Sequence, residues 1–448
     1  MTQIASIDTR TPGWKLMLAL LIAGLLAIPL FATYLLIYDR ESQSQTAEKS
    51  IVAGWGGAQR IAAPVLVIPY ATTATVAATD TGAAAPRAGT VWRELTLTPD
   101  IADVTTRIAP ERRHRSIYDA VVYRAETSGR VRFTLPADLA RLGVARGALA
   151  LDRAELRFGL SDPRGLVGAP PVIRIGGGGQ LVLQPGKGPA ATGGNGFHAW
   201  LDARDLATRP ITASFAYSFR GSQSLALVPE GGDTRWRVAS FWPSPSFQGD
   251  FLPTDHRVDA HGFAATWRVG NLALGSGLAS TDDAPVAAAA TLSAAQIDLV
   301  TPVDLYSEVN RSVKYGFLFI GFTFAMFWLF DVIGGVAVAT VEYLLIGAGL
   351  VLFFVMLFAF AEVIGFAAAY VVAAGAIVGL LTAYSAAVLR SKGRAGAVAA
   401  LLAALYAVLY VLLGLEAYAL LIGSVLLFVA LAAVMWLTRR IDWHAGAA

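Results

Sequence analysis

Val338–Phe360 reads VATVEYLLIGAGLVLFFVMLFAF, inside a nearly unbroken apolar tract that runs from Arg311 to Arg440. About twenty consecutive apolar residues cross the hydrocarbon layer of a bilayer. The tract holds five runs of that order, at Ser312–Val332, Val338–Phe360, Val363–Leu389, Ala395–Leu413 and Glu416–Leu437. It predicts a membrane protein with a C-terminal α-helical transmembrane bundle of about five spans over 312–437.

The other end of the chain carries a second apolar run. Trp14–Tyr38 reads WKLMLALLIAGLLAIPLFATYLLIY, with Arg10 and Lys15 at its leading edge. A cleaved signal has an apolar core of about 7–15 residues and a small-residue cleavage site. This run is longer and ends on bulky side chains, so it predicts an uncleaved transmembrane anchor over 14–38. Pro29 within it is tolerable, because a membrane helix can re-satisfy the backbone groups that proline frees. The whole chain of 448 residues is 55% hydrophobic and 15% charged, with mean hydropathy +0.56. Soluble domains carry about a quarter charged residues. A net charge of +3 over this length argues against a nucleic-acid surface. The chain has no cysteine, which excludes thiol nucleophiles, Cys-ligated zinc and disulfides.

Between the apolar ends, 39–311 has the texture of a water-soluble domain. Short β-branched and aromatic runs, such as VLVIPY (Val65–Tyr70), VWRELTLT (Val91–Thr98), ITASFAYSF (Ile211–Phe219) and FAATWRV (Phe263–Val269), are bounded by turn residues. They predict a large, mostly-β, sandwich-like antiparallel domain. Arg40–Gly54 is polar and helix-compatible, so the anchor helix is expected to continue outward. Gly- and Ala-rich stretches at Ala71–Gly89, Gly186–Gly196 and Ser276–Ala290 read as mobile loops without a packed role, and Gly176–Gly179 reads as a turn.

No motif in this domain selects a reaction. Gly176–Gly179 is followed by Gln180, Leu181 and Val182, which fits neither a P-loop nor a dinucleotide fingerprint. Of His114, His198, His256, His261 and His444, the 256/261 pair lacks the spacing and the Glu of a helical zinc site. Asp282 and Asp283 fall in a solvated turn. No catalytic residue, metal site or cofactor is expected. One segment stands apart: Ser240–Pro253 reads SFWPSPSFQGDFLP. Its prolines and aromatic rings describe either a structural loop packed under the sandwich or a candidate interaction lip presenting Trp242, Pro243, Pro245, Phe247, Gly249, Asp250 and Phe251. Among the charges near the spans, Glu342 is the deepest, about one turn in, and is the candidate intramembrane polar residue. Interfacial placement or an interhelical hydrogen bond competes there with a proton relay.

The charge pattern sets an orientation. With the N-terminus cytoplasmic, the loop carrying Arg390, Lys392 and Arg394 and the C-terminal stretch with Arg439 and Arg440 fall on the same side, as the positive-inside rule asks. Arg311 and Lys314 sit on the opposite side. Both termini, 1–13 and 438–448, are then expected in the cytoplasm and the β-rich domain outside, in the periplasm of a bacterial inner membrane.

Several stretches together resemble one family. They are WGGAQRIAAPVLVIP (Trp55–Pro69), LSDPRGL (Leu160–Leu166), SLALVPEGG (Ser224–Gly232), SFWPSPSFQGDFLP, RSVKYGFLFIGFTF (Arg311–Phe324), EYLLIG (Glu342–Gly347) and TRRIDW (Thr438–Trp443). The chain is similar to the CreD family of bacterial inner-membrane proteins, which are associated with cell-envelope integrity. The resemblance implies an anchor, a periplasmic β-domain and a helical bundle, and supplies no catalytic residues. Two functions from different classes follow as expectations. One is a non-enzymatic envelope protein with a periplasmic sensing or interaction domain, whose partner beyond the bilayer is an envelope protein, lipid or glycan. The alternative is a multi-span transporter or channel with an accessory domain; a periplasmic hydrolase has least support.

Overall fold

The computed structural model describes residues 12–76, 87–115, 118–176, 178–281, 293–300, 305–334, 339–388, 391–414 and 419–439. The chain divides into two compact units, one formed by Met1–Gln45 with Val303–Ala448 and the other by Thr46–Pro302.

Helix α1 (Pro12–Ala53) is a single element of 42 residues. It runs on past Tyr38 through the polar stretch that the sequence marked as helix-compatible. Pro29 sits inside it, and the Thr33 hydroxyl bonds the Pro29 carbonyl at 2.9 Å. A short helix α2 (Asn271–Leu274) belongs to the β unit. In the helical unit, α3 (Leu305–Lys314) and α4 (Gly316–Gly334) are separated at Tyr315, where one span beginning at Ser312 was expected. The break follows from composition: α3 is polar and charged, whereas α4 is apolar but for Thr323 and Asp331, so the two halves of the stretch suit different surroundings.

α5 (Thr340–Ile364), α6 (Phe366–Val388) and α7 (Lys392–Gly414) follow, then α8 (Ala419–Thr438). Among the described residues, α1, α5, α6 and α7 are long and apolar enough to cross a membrane, and α4 and α8 add the shorter apolar stretches Ile320–Leu329 and Leu421–Trp436. α5 extends to Ile364 and takes in Glu362, which was expected in a loop. The turn is Gly365 alone, with φ +78°, a left-handed conformation that glycine adopts without a Cβ penalty. Two glycines earn their place by packing. A Cβ on Gly347 would lie 2.0 Å from the Leu26 side chain, and one on Gly349 would lie 3.2 Å from Leu381. A Cβ on Gly375, Gly379 or Gly396 would meet nothing within 4 Å.

The β unit contains two sheets. The first joins β1 (Gln59–Val76), β2 (Arg87–Leu97), β5 (Ala154–Leu160), β7 (Leu183–Pro185), β8 (Gly196–Leu201), β10 (Ser224–Val228), β12 (Pro245–Gly249), β15 (Ala279–Thr281) and β16 (Ala295–Leu299). Its backbone order is β12-β16-β10-β1-β5-β8-β7, with β2 on β1 and β15 on β2. The second joins β3 (Ile101–Arg115), β4 (Tyr118–Phe133), β6 (Val172–Ile175), β9 (Ile211–Ser222), β11 (Asp233–Ser240), β13 (Asp255–Asp259) and β14 (Gly262–Gly270), in the order β13-β14-β11-β3-β4-β9-β6.

The sheets face each other across one apolar core. From the first sheet come Leu66, Ile68, Leu156, Phe158 and Phe197, and from the second Val104, Tyr123, Phe133, Phe215, Phe219, Trp236 and Trp267. Phe158 meets Phe215 edge-on at 5.6 Å and Phe197 meets Tyr217 likewise at 5.6 Å, ring geometry that gains over plain burial. Period-two burial along Ile211–Ser222 is the alternation expected of a strand with one face in this core and one outside. The mostly-β, sandwich-like expectation therefore holds, with one correction. β1 pairs β10 in parallel and β11 pairs β3 in parallel, so the sheets are mixed rather than purely antiparallel. Ile61–Ile68 is an unbroken apolar run with one proline, buried throughout, and a register shift between Ala62 and Val65 accommodates Pro64, which has no N–H to give the ladder.

The supposed mobile loops are partly built in. β1 and β2 extend through Ala71–Val76 and Arg87–Gly89, and β15 occupies part of Ser276–Ala290; 77–86 and 282–292 lie outside the described residues. Gly186–Gly196 is compact, with Ala191 and Thr192 buried. A Cβ on Gly188 would sit 1.8 Å from the Asn195 carbonyl oxygen, so the glycine there serves close backbone approach and not mobility.

Candidate functional site

The two sheet faces turned away from the shared core differ in what they present. On the second sheet, alternate residues of six strands form an outward-facing lattice fixed by register. Ala109, Arg124 and Arg220 stand abreast, then Ala239, Arg107, Glu126 and Ser218, then Arg237, Thr105, Ser128, Ala216 and Val172. The next row is Arg268, Arg235, Asp103, Arg130, Ser214 and Arg174. Arginine therefore recurs across the face, separated by small and hydroxyl side chains.

Some of these charges are compensated. Arg237 pairs with Asp103 at 2.6 Å, and Arg268 makes two 3.0 Å bonds to Asp233, whose carboxyl is held below the usual range chiefly by that contact. Arg107, Arg124, Arg130, Arg174 and Arg220 form no salt bridge among the described residues. Arg124 and Arg220 lie directly opposite each other on neighbouring strands. Like charges so placed destabilise a sheet, and the Arg220 Nε is buried without a hydrogen-bond partner. Guanidinium groups arrayed this way are suited to planar oxyanions, which they bind through paired N–H donors.

Two shallow troughs cut this face on either side of the Arg107 and Glu126 side chains. One, of about 460 Å³, is lined by Arg107, Arg124, Ser240, Phe241 and His261 among others. The other, of about 410 Å³, takes in Thr105, Arg107, Glu126, Ser128 and Ser218. Phe241 is 59% exposed.

The sequence singled out the segment that ends this face, and the structure divides it. Trp242 turns inward, is 7% exposed, donates from Nε1 to the Val300 carbonyl at 2.9 Å and lies under the Arg112 guanidinium at 5.5 Å. Pro243 is exposed. Pro245, Phe247 and Gly249 belong to β12, paired with β16, where a loop was expected. The Phe247 ring packs edge-on to Trp267 at 5.7 Å and to Phe263 at 5.9 Å. Gly249 has φ +88°, and the Asp250 carboxylate accepts from the Ala294 N–H at 3.1 Å. The Phe251 carbonyl accepts from Trp267 Nε1 at 3.0 Å. These residues hold the sandwich edge together and do not converge as a lip. Phe241, beside Trp242, is the ring that faces out.

Glu342 stands in the first turn of α5, and its Oε2 accepts from the Ala339 N–H at 2.8 Å. A carboxylate there satisfies an orphan donor and complements the helix dipole. It is a capping group at a helix end. Of the histidines, His198 is buried and its Nδ1 contacts the Gly186 carbonyl at 3.1 Å, His256 lies edge-on to Phe247, His261 is exposed, and His114 contacts Asp119. His444, Glu416, Asp282 and Asp283 lie outside the described residues.

A further cluster, quoted from the sequence only for its resemblance, proves to be the knot at one end of the β unit. Gln59, 1% exposed, donates from Nε2 to the carbonyls of Arg220 (3.0 Å) and Asp162 (3.3 Å), and its Oε1 accepts from Ser161 Oγ (3.0 Å) and the Asp162 N–H (3.2 Å). Trp55 is stacked by two guanidiniums, Arg113 at 4.2 Å and Arg220 at 4.3 Å. Tyr123, whose hydroxyl burial pushes upward, donates to the Ser224 carbonyl at 2.8 Å. Gly165 could carry no side chain here, since a Cβ would lie 2.7 Å from both Arg220 O and Gln59 Nε2. WGGAQ, LSDPRGL and the stretch around Arg220–Ser224 are thus one interlocked unit, which sets the position of Arg220 on the exposed face. The Trp-Gly-Gly run was the available signal, because paired glycines after an aromatic often mark close backbone approach.

On the first sheet, burial pushes the Glu155 carboxyl up, and hydrogen bonds from Lys187 and Arg157 outweigh it, leaving it below the ordinary range. The salt bridges of Glu155 to Lys187 (2.6 Å) and Arg157 (2.8 Å), and of Arg157 to Glu94 (2.6 Å), close that network on itself.

The family model described as "Inner membrane protein CreD" matches residues 11–444. The chain is 30% identical over 443 residues to the inner membrane protein CreD of Escherichia coli (strain K12), covering 96% of this chain and 94% of that protein. The match spans the anchor, the β unit and the helical bundle together, and the chain belongs to the CreD family of inner-membrane proteins.

Proposed function

We propose that this chain is a non-enzymatic protein of the cell envelope that acts by binding. In this reading its β unit stands on the periplasmic side of the inner membrane and engages an envelope partner with the arginine-bearing face of its second sheet. The observation that carries the reading is that face, with five arginines unmatched by any salt bridge among the described residues. Arg220 is held there by the Trp55 ring and the Gln59 knot, while Arg124 opposite it has neither anchor. The orientation is supported by the basic residues Arg10 and Lys15, by Arg390, Lys392 and Arg394, and by Arg439 and Arg440, which a cytoplasmic placement of both termini gathers on one side. Taking the shorter apolar helices α4 and α8 as spans beside α1, α5, α6 and α7 gives that even number of crossings.

The test is in-cell photo-cross-linking from Ser128, an exposed residue in the middle of the face, compared with Asp202 on the first sheet's side of the domain. Capture of a defined species from position 128 and not from 202 is the expected result. Equal capture, or none from either, would remove the binding face from the account.

A further inference from the structure

Resting on that reading, we propose that the two troughs beside Arg107 are successive subsites for a linear glycan bearing carboxylate groups. Each trough pairs a cation with groups that suit a sugar. The first combines Arg107 and Arg124 with the outward ring of Phe241, 59% exposed, and with the Ser240 hydroxyl. An aromatic face covers the apolar side of a pyranose ring while guanidinium donors take the acid group in paired hydrogen bonds. The second trough offers the hydroxyls of Thr105, Ser128 and Ser218 as two-way hydrogen-bond partners for ring hydroxyls.

The arrangement across the strands fits an extended chain. The second trough spans β3, β4 and β9, the first lies toward β11, and Arg107 belongs to both. Neighbouring strands are about 4.8 Å apart, so these four strands cover roughly 14 Å, the length of two to three sugar units. Residues flanking the troughs are small, among them Ala239, Ala216 and Ala109, so a chain can lie flat against the sheet.

Other anionic partners fit less well. Glu126 stands between the troughs beside Arg107. One carboxylate in the middle of the site disfavours a dense polyanion such as a phosphate chain and tolerates acid groups spaced one per sugar. A bilayer surface is met by several protruding apolar side chains, whereas Phe241 is the large one lining these troughs and exposed. A stable protein partner commonly needs a buried apolar centre, and this face is polar and shallow.

The experiment is a titration of the full chain in lipid nanodiscs with oligogalacturonate, its methyl-esterified form and inorganic polyphosphate. Oligogalacturonate is expected to bind, and the esterified form to bind at least tenfold more weakly. Arg107→Gln with Arg124→Gln should weaken binding tenfold or more and flatten its salt dependence. Phe241→Ala should weaken it roughly threefold with the salt dependence unchanged, a split that a merely structural effect would not produce. Arg204→Gln, on an exposed turn off this face, should change nothing. No binding of oligogalacturonate by the unaltered protein, equal binding of the esterified form, or tighter binding of polyphosphate indifferent to Phe241→Ala would each overturn the glycan assignment. Cross-linking from Ser128 to a protein in cells alongside such a failure would leave the broader binding reading standing.

Discussion

Gln59 makes four hydrogen bonds from a fully enclosed position, three to Ser161–Asp162 and one to Arg220, and so ties two other parts of the β unit to the start of β1. Removing the amide takes a donor from the Arg220 carbonyl and the acceptor from the Asp162 N–H, at a cost of about 1–3 kcal/mol for each group left unsatisfied, while the Asp162 carbonyl keeps the Gly165 N–H. Gln59→Ala is therefore expected to destabilise the β unit by about 3 kcal/mol, read from the denaturant midpoint of the full chain in detergent. A second residue-scale effect depends on pH. The Glu230 Oε2 is buried without a partner, and burial pushes its carboxyl up to about 8. An unfolded Glu titrates near 4.3, so the folded state holds the proton more tightly. The stabilising contribution is complete below the unfolded value and is lost as pH rises through that of the folded state. Glu230→Gln should remove this loss, raising the thermal midpoint at pH 8.5 by about 3–6 °C while changing little at pH 4.

At the scale of elements, α5 is organised by what its neighbours press into it. Leu26 of α1 reaches the Gly347 position and Leu381 of α6 reaches Gly349, while Phe353 sits against Tyr370 at 5.4 Å and Tyr406 at 4.6 Å. Gly347→Leu would force α1 away from α5 and should lower the thermal midpoint of the solubilised protein by several degrees, whereas Gly375→Leu, with open space around it, should leave it within error. The helices were legible because twenty-residue apolar runs admit few alternatives in water or lipid. Glycine contacts were not: Gly347 and Gly375 look alike in sequence, and only the packing distinguishes them. The same limit governed the β unit. Period-two runs such as ITASFAYSF gave strands, but strand order and the parallel pairing of β1 with β10 depend on long-range contacts that local pattern does not encode. SFWPSPSFQGDFLP advertised its rings without saying which would turn inward, and Trp242 and Phe241 took opposite sides of one backbone. The arginine face was hidden for a simpler reason. Its members are spread from Arg107 to Arg268, so no local run of basic residues announces a patch that exists only once β14, β11, β3, β4, β9 and β6 lie side by side.

The whole molecule combines membrane helices with a sandwich whose second sheet presents an arginine-bearing outer face. Glu342, the residue that would have favoured a permeation path, caps the start of α5. Glu342→Gln keeps an acceptor at that cap, so it is expected to change stability by less than about 1 kcal/mol and to alter no ion flux in proteoliposomes. The central claim is that the arginine face stands outside the cytoplasm, where an envelope partner can reach it. The chain has no cysteine, so single thiols can be introduced without background. The most direct measurement is labelling of Ser128→Cys and Ser391→Cys by a membrane-impermeant maleimide in intact spheroplasts and after lysis. The account predicts that position 128 labels in intact spheroplasts and position 391 only after lysis. The reverse pattern would contradict it.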